Sequence, residues 1–509
     1  MYYRRHKREI HLILFFVVLK LVLHFLANSR FGFHRDELLY IALGQHLDWG
    51  YMEVPPFIAG ISRLSQVIFG DSVFAFRILP SLAGAMIVFL VGLMVLVLNG
   101  KRPAITIACL AATFSPAFLA SGYLLQPVVF DQLFWTAAAF LVIIYIATHK
   151  TRYIHLLGVV AGIGMMNKYT MAAFLLALFL GILATPQRKF LWNRHWLIAS
   201  GIGLLIFLPN LVWQFRHDLP VIRHLGQLKQ TQLDYIQPQD FLIQSFVVHG
   251  AIGLIAVAGL IYILLSKRSG RFRFIGISFI LIIALMLWLQ GKVYYAFGAF
   301  PMLFAAGGMA FQYGARLFSG RFIGASAAVV VAPCLVFLPV VIPILPINAT
   351  LGFFGLAKSA GLTFPLKWED QRMHATTQDY GDMFGWQEMA DYSVLAYEQI
   401  PEHERDRATV IADNYGQAGA LDHLGNSRLP KTVCLNSSFA LWAPDTIHTQ
   451  HLVYVDHDIS DLEPLFKEVK LIGEVTDPLA REKGTKVFLL SYPVKDINSL
   501  YRLAKQEGR

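Results

Sequence analysis

Four acids and three bases in this chain are spaced so that they could meet one substrate. Asp36 and Glu37 are adjacent in HRDELLY, Glu53 lies in GYMEVPP, and Asp131 lies in QPVVFDQLFW. Arg35 precedes the acid pair, Lys168 follows a long apolar run, and Lys292 sits in GKVYY. A carboxylate beside an acceptor hydroxyl can take its proton during attack. A cation beside a phosphate can stabilise the charge that grows on it as it leaves. Taken singly, each acid reads equally well as a solvated loop residue, but the four converge on one side of the chain's apolar runs. An ionised carboxylate inside a span costs roughly 2.5–3.5 kcal/mol on insertion scales, so Asp131, at the outer end of such a run, is expected to face a polar cavity. Tyr40, Glu53, Tyr294 and Tyr295 are expected to line the same cavity. A divalent cation held by Glu53 and Asp131 is an open alternative, with oxygen ligands favouring magnesium, calcium or manganese. His34, His46, His217, His224 and His249 show no ligand spacing of the HExxH kind.

The elements that must position these residues are membrane spans. Of 509 residues, 56% are apolar and 15% charged, against roughly 25% charged in soluble domains, and the mean hydropathy is +0.53. The net charge of +10 comes largely from short clusters between apolar runs: RRHKR, GKRP, THKTR, TPQRKFLWNR and SKRSGRFR. Such clusters mark cytoplasmic loops, which argues against nucleic-acid binding. With about 20 apolar residues per span, eleven spans are predicted, near 10–28, 73–98, 104–122, 128–147, 153–167, 169–185, 196–214, 242–265, 274–290, 293–313 and 322–345. With the N-terminus inside, every basic cluster falls on the cytoplasmic side. The other side receives 29–72, 122–128, Asn167 and Lys168, 215–241, 290–292 and everything after about 346. The first run is 18 residues, longer than a signal-peptide core of roughly 7–15, and reads as a retained span whose Lys20 and His24 face protein. Arg77 reads as a cation snorkelling to the interface.

Segment 29–72 is amphipathic in places, as in FIAGISRLSQVIFG, and is expected to form helices at the membrane interface. The chain divides into a membrane part, 1–346, and an external α/β domain, 347–509. In that domain TVIAD, TVCLN, HLVYVD and TKVFLLSY read as strands, and DLEPLFKEV and INSLYRLAKQ as helices. The three cysteines, Cys109, Cys334 and Cys434, make no disulfide framework.

The block HRDELLYIALGQHLDWGYMEVPPFIAGISRLSQVIFGDSVFAFRILPSLAGA resembles the first external loop and second span of GT-C glycosyltransferases. The likeness is to bacterial family 39 members, related to protein O-mannosyltransferases and to the aminoarabinose transferases of lipid A. It continues through FDQLFWT, GIGMMNKYTM, TPQRKFLW, FLPNLVWQ and GKVYYAFGAFPMLFAAG, and in the tail through YGDMFGWQEMA and DNYGQAGALDHLG. The resemblance implies a polyprenyl-phosphate sugar donor and inverting transfer to a lipid, glycan or protein hydroxyl on the external face of a bacterial inner membrane. It implies Asp36 as catalytic base, with Glu37 its motif neighbour and Asp131 the acid of the second external loop. The aminoarabinose transferases carry Arg three residues after the Asp, where this chain has Leu39, and Lys before the two prolines, where it has Val54. Phosphate neutralisation is therefore expected to fall to Arg35, Lys168, Lys292 or a metal, and aminoarabinose transfer is disfavoured. A transporter of lipid-linked sugars is the rival class, and a non-catalytic scaffold a third; an odd span count, no inverted repeat and the intact acids argue against them.

Overall fold

A computed structural model of the chain describes residues 6–231, 237–314, 320–447 and 449–507. Arg4 and Arg5 of the first basic cluster, and 232–236 of the 215–241 loop, lie outside the described residues. Among the described residues, six helices are long and apolar enough to cross a membrane: Lys7–Asn28, Val73–Val97, Pro127–Thr148, Arg194–Arg216, Lys267–Trp288 and Val293–Gly314. A seventh candidate is the pair Pro238–Val247 and Gly250–Leu265, bent by 99°. The other expected spans are helical but shorter, among them Arg102–Phe114, Arg152–Asn167 and Thr170–Leu183. In the first helix Lys20 and His24 are fully buried, as expected. Lys20 Nζ donates to the carbonyls of Thr113 and Phe118, at 3.1 and 3.0 Å. It thus serves a carbonyl freed at the Ser115–Pro116 break and another at the end of the short helix Pro116–Ala120.

Segment 29–72 folds as two helices, Arg35–Gln45 and Phe57–Phe69. The helix Arg35–Gln45 is fixed at its start by a capping box: the His34 ring accepts from the Asp36 N–H, and Glu37 accepts from the His34 N–H at 2.9 Å. That local choice points Asp36 and Glu37 in different directions.

The C-terminal part contains a four-stranded sheet, β1 (Ala408–Ala412), β2 (His451–Asp456), β3 (Phe466–Glu474) and β4 (Lys486–Pro493), in the order β1-β2-β4-β3. β1 and β2 are parallel; β4 pairs antiparallel with β2 and β3. Two expectations fail here. DLEPLFKEV is not a helix: after a single turn at Glu463–Leu465, its second half begins β3. β3 is an edge strand, and its charges Lys467, Glu468, Lys470 and Glu474 sit where charge blunts edge pairing. TVCLN makes only a bridge, Val433 against Ile411, because the chain turns at Ser437, φ +62°, toward the membrane part. One hydrophobic core runs without a break from Phe76 and Trp135 to Met389, Ala418 and the strand residues Val453 and Leu489.

Candidate active site

A cavity of about 730 Å³ opens where the helix Arg35–Gln45, the 53–55 loop, the start of Pro127–Thr148, the 168–169 turn, the 292–297 segment and the C-terminal part meet. Asp36 stands on its wall with one carboxylate oxygen 2.9 Å from the Tyr415 hydroxyl, which donates to it. The Gln126 side-chain amide donates to the other oxygen at 3.5 Å, a weak contact that leaves it the more available of the two. Burial, together with the Asp36 carboxylate, holds the Tyr415 phenol protonated far above its usual range, so it remains a donor. Arg35 lies over the Tyr415 ring, 4.7 Å from its centroid, and its buried Nε has no hydrogen-bond partner.

The cations gather around the aromatic pair. Lys168 Nζ lies 4.3 Å from the Tyr295 ring centroid and 4.7 Å from that of Tyr294. Lys292 Nζ is 6.0 Å from the Tyr294 centroid. Burial pulls the Lys168 ammonium down to about 8, with Asp131 opposing the shift and Lys292 adding to it. Lys292 is likewise lowered by burial, against the pull of Glu369 and Asp36. Each ammonium that the cavity strips of water is thus primed to gain an anion.

Of the expected site residues, Arg35, Asp36, Tyr40, Glu53, Lys168, Lys292, Tyr294 and Tyr295 all line this one cavity. Glu37 and Asp131 do not. Glu37 is buried against Arg77, with Oε2 2.7 Å from the guanidinium and both side chains fully excluded from solvent. Its carboxylate also accepts from the Leu125 N–H at 2.9 Å. Arg77 is therefore no snorkelling cation: besides Glu37 it donates to the carbonyls of Asn28, Arg30 and Gly32. Asp131 is buried behind the cavity wall, taking a hydrogen bond from the Thr170 hydroxyl at 2.9 Å. Its reach into the site runs through Lys168, whose charged form it favours.

Glu53 accepts from the hydroxyls of Ser437 and Ser438, which occupy both its oxygens. Among the described residues no three of His, Cys, Asp and Glu gather where a metal ion could be held. With Glu53 engaged by serines and Asp131 behind the wall, the pair does not fit a metal site.

The C-terminal part supplies cavity residues that sequence reasoning missed. Tyr415, Asp382, Arg481, Glu369 and Asp379 line it alongside His34 and His224. Asp382 faces Arg481 at 3.2 Å and His34 at 3.8 Å; burial raises its carboxyl, and the neighbouring Arg481 guanidinium and His34 ring oppose the shift. The helix Tyr415–Leu424 can come this close because of its glycines. A Cβ at Gly416 would lie 2.6 Å from Arg35 Cγ, and one at Gly419 would lie 2.8 Å from the Leu38 carbonyl oxygen. His46 stacks on Trp442 with ring centroids 4.3 Å apart and closes the same seam. The arrangement can accept a proton at Asp36 and neutralise an anion at Lys168 and Lys292.

Residues 53–213 match the family model for dolichyl-phosphate-mannose-protein mannosyltransferase. A lipid A galacturonosyltransferase of Rhizobium johnstonii is 26% identical over 251 residues, which is 47% of this chain and 50% of that protein, so the match spans half its length. Among solved structures, ArnT from Cupriavidus metallidurans bound to undecaprenyl phosphate superposes with a TM-score of 0.59 at 14% identity, covering 94% of this chain and 97% of that one. AftD, an arabinofuranosyltransferase from Mycobacteria, gives 0.51 at 13% identity over 95% of this chain and 40% of its own. At these identities the structural likenesses show the fold.

Proposed function

We propose that this chain, which resembles the bacterial GT-C glycosyltransferases of the family 39 type, is a membrane glycosyltransferase that moves a sugar from a polyprenyl-phosphate donor to an acceptor hydroxyl. The observation that carries the reading is the single cavity holding Asp36 on one wall and the Lys168 and Lys292 ammonium groups on another. The donor phosphate binds the two lysines and Arg35. The acceptor hydroxyl sits against the Asp36 oxygen that Gln126 holds only weakly. As its oxygen attacks the sugar C1 from the face opposite the phosphate, the proton passes to Asp36 and the C1–O bond to phosphate breaks. The product is an inverted glycoside, and the leaving polyprenyl phosphate takes the bonding electron pair. One well-placed donor to such growing charge is worth about 3–4 kcal/mol.

Tyr415 holds Asp36 by one oxygen so that the other meets the acceptor. Glu37 acts one layer out: with Arg77 it pins the start of the helix that carries Asp36. Asp131 keeps Lys168 charged. The eleven-span reading, interfacial placement of Arg35–Gln45 and Phe57–Phe69, and an N-terminus on the cytoplasmic side belong to the same proposal. They are supported by the segregation of the cavity and the basic clusters to opposite helix ends. The family model, the Rhizobium relative and AftD are all named as transferases, and none of these likenesses favours a transporter.

Wild type and Asp36→Asn are compared in native membranes, with polyprenyl-phosphate sugars and surface glycoconjugates profiled by mass spectrometry. The reading expects one lipid-linked sugar to accumulate in the variant and one glycoconjugate to lose the matching mass. A donor that changes membrane side with no product lost would make the protein a transporter. Identical profiles would remove Asp36 from the chemistry.

A further inference from the structure

A second cavity, of about 1040 Å³, lies at the other end of helices that line the candidate active site. The helix Pro127–Thr148 joins the two: its Pro127 lines the first cavity, and Ala147 and Thr148 line the second. At 1.5 Å per residue the 22 residues of this helix span about 33 Å, the thickness of a bilayer's hydrocarbon core. The second cavity therefore lies at the opposite membrane boundary.

Its rim is cationic. Lys101, Arg102, Lys150, Arg152 and Arg271 come from three separate connections and line one space, with Glu9 the single acid among them. Glu9 is 3.3 Å from Arg102, which leaves a surplus of four positive charges around the opening. Its floor is apolar, made by Leu96, Val97, Ile144 and Ala147. Three helix starts also open here, those of Lys7–Asn28, Arg102–Phe114 and Arg152–Asn167, and none has a side-chain cap on its first-turn amides. Topology alone asks only for basic residues on one face. It does not ask that three loops place them around one concave, greasy-floored space, where low-dielectric walls concentrate their field.

We infer that this cavity binds the phosphate headgroup of an anionic membrane phospholipid. The cations take the phosphate, and the apolar floor takes the first carbons of the lipid. The floor and the position at the membrane boundary favour a lipid over a dissolved anion, and basic pockets between spans on such a face are suited to phospholipid headgroups. The site stands apart from the transfer reading, because no residue of the first cavity contributes to it.

The test is thermal melting of the purified full-length protein in neutral detergent, with added phosphatidylglycerol, phosphatidylcholine or inorganic phosphate. Phosphatidylglycerol is expected to raise the melting temperature by several degrees and phosphatidylcholine to leave it nearly unchanged. The double variant Lys150→Ala, Arg152→Ala is expected to lose most of that gain, while Lys168→Ala, altered in the first cavity, keeps it. Should the double variant fail to fold, wild type alone decides, since a headgroup held by these exposed cations must lose its effect as salt is raised. Equal gains from both lipids, a gain indifferent to salt, or a gain undiminished in a folded double variant would overturn the inference. A matching gain from inorganic phosphate would replace the lipid with a free anion.

Discussion

Removing the Glu37 side chain tests whether this acid works in the chemistry or beneath it. In Glu37→Ala the Arg77 guanidinium loses the partner 2.7 Å away, at a place where neither side chain sees solvent. Breaking a buried ion pair on one side costs about 3–5 kcal/mol, because the remaining charge is left uncompensated. The N–H groups of His34 and Leu125 also lose their acceptor. Each such loss is worth about 1–3 kcal/mol where water does not enter. These contributions overlap, so the ion-pair figure is the working estimate. For a chain of 509 residues melting as one unit, a loss of that size lowers the melting temperature by about 3–5 °C. The assay is melting of purified protein, with transfer measured well below the melt. Glu37→Ala is expected to melt early and to keep part of its activity in the cold. Glu37→Leu with Arg77→Met, which removes both charges together, is expected to melt closer to wild type than either single change does. Wild-type melting with no transfer at any temperature would refute the structural assignment and return Glu37 to the reaction.

Tyr415→Phe keeps the ring under Arg35 and removes only the hydroxyl that holds Asp36. It is expected to lower kcat by about tenfold to a hundredfold with the donor KM unchanged, and to cost nothing further in an Asp36→Asn background; additive losses would make the tyrosine a packing residue. Lys168, pulled down to about 8 by burial, is protonated and phosphate-binding below that pH and neutral above it. Donor kcat/KM is therefore expected to fall as pH rises through about 8, and Lys168→Arg, which stays charged, is expected to carry the plateau to higher pH; a limb that does not move would clear Lys168 of the role.

The membrane part was largely legible because its signals are local. The apolar runs became helices, and Lys20 and His24 turned inward because charge in a span has nowhere else to go. Asp36, Lys168 and Lys292 were singled out by residue type and by their places at the ends of apolar runs, and one cavity brings them together. What stayed hidden depends on partners far along the chain. Glu37 read as one of four acids able to meet the substrate because its partner, Arg77, is 40 positions away, and a cation near a span end looks like snorkelling until its partner is known. β3 read as a helix because FKEVK carries no strict alternation; its pairing with β4 decides it. Tyr415 reaches Asp36 across 379 positions. The glycines at 416 and 419 were the one available hint, since small residues three apart mark a helix face built for close approach. Nothing in the sequence said what would approach it.

That separation also fixes an order of events during synthesis. Asp36 leaves the ribosome early, and the tyrosine that holds it follows 379 residues later, roughly 20–75 seconds at bacterial elongation rates of about 5–20 residues per second. The serines that engage Glu53 arrive later still, at positions 437 and 438. Throughout that interval Asp36 stands without the hydroxyl that holds it. Under the proposed transferase reading, reaction waits until the segment that carries Tyr415 has docked against Asp36.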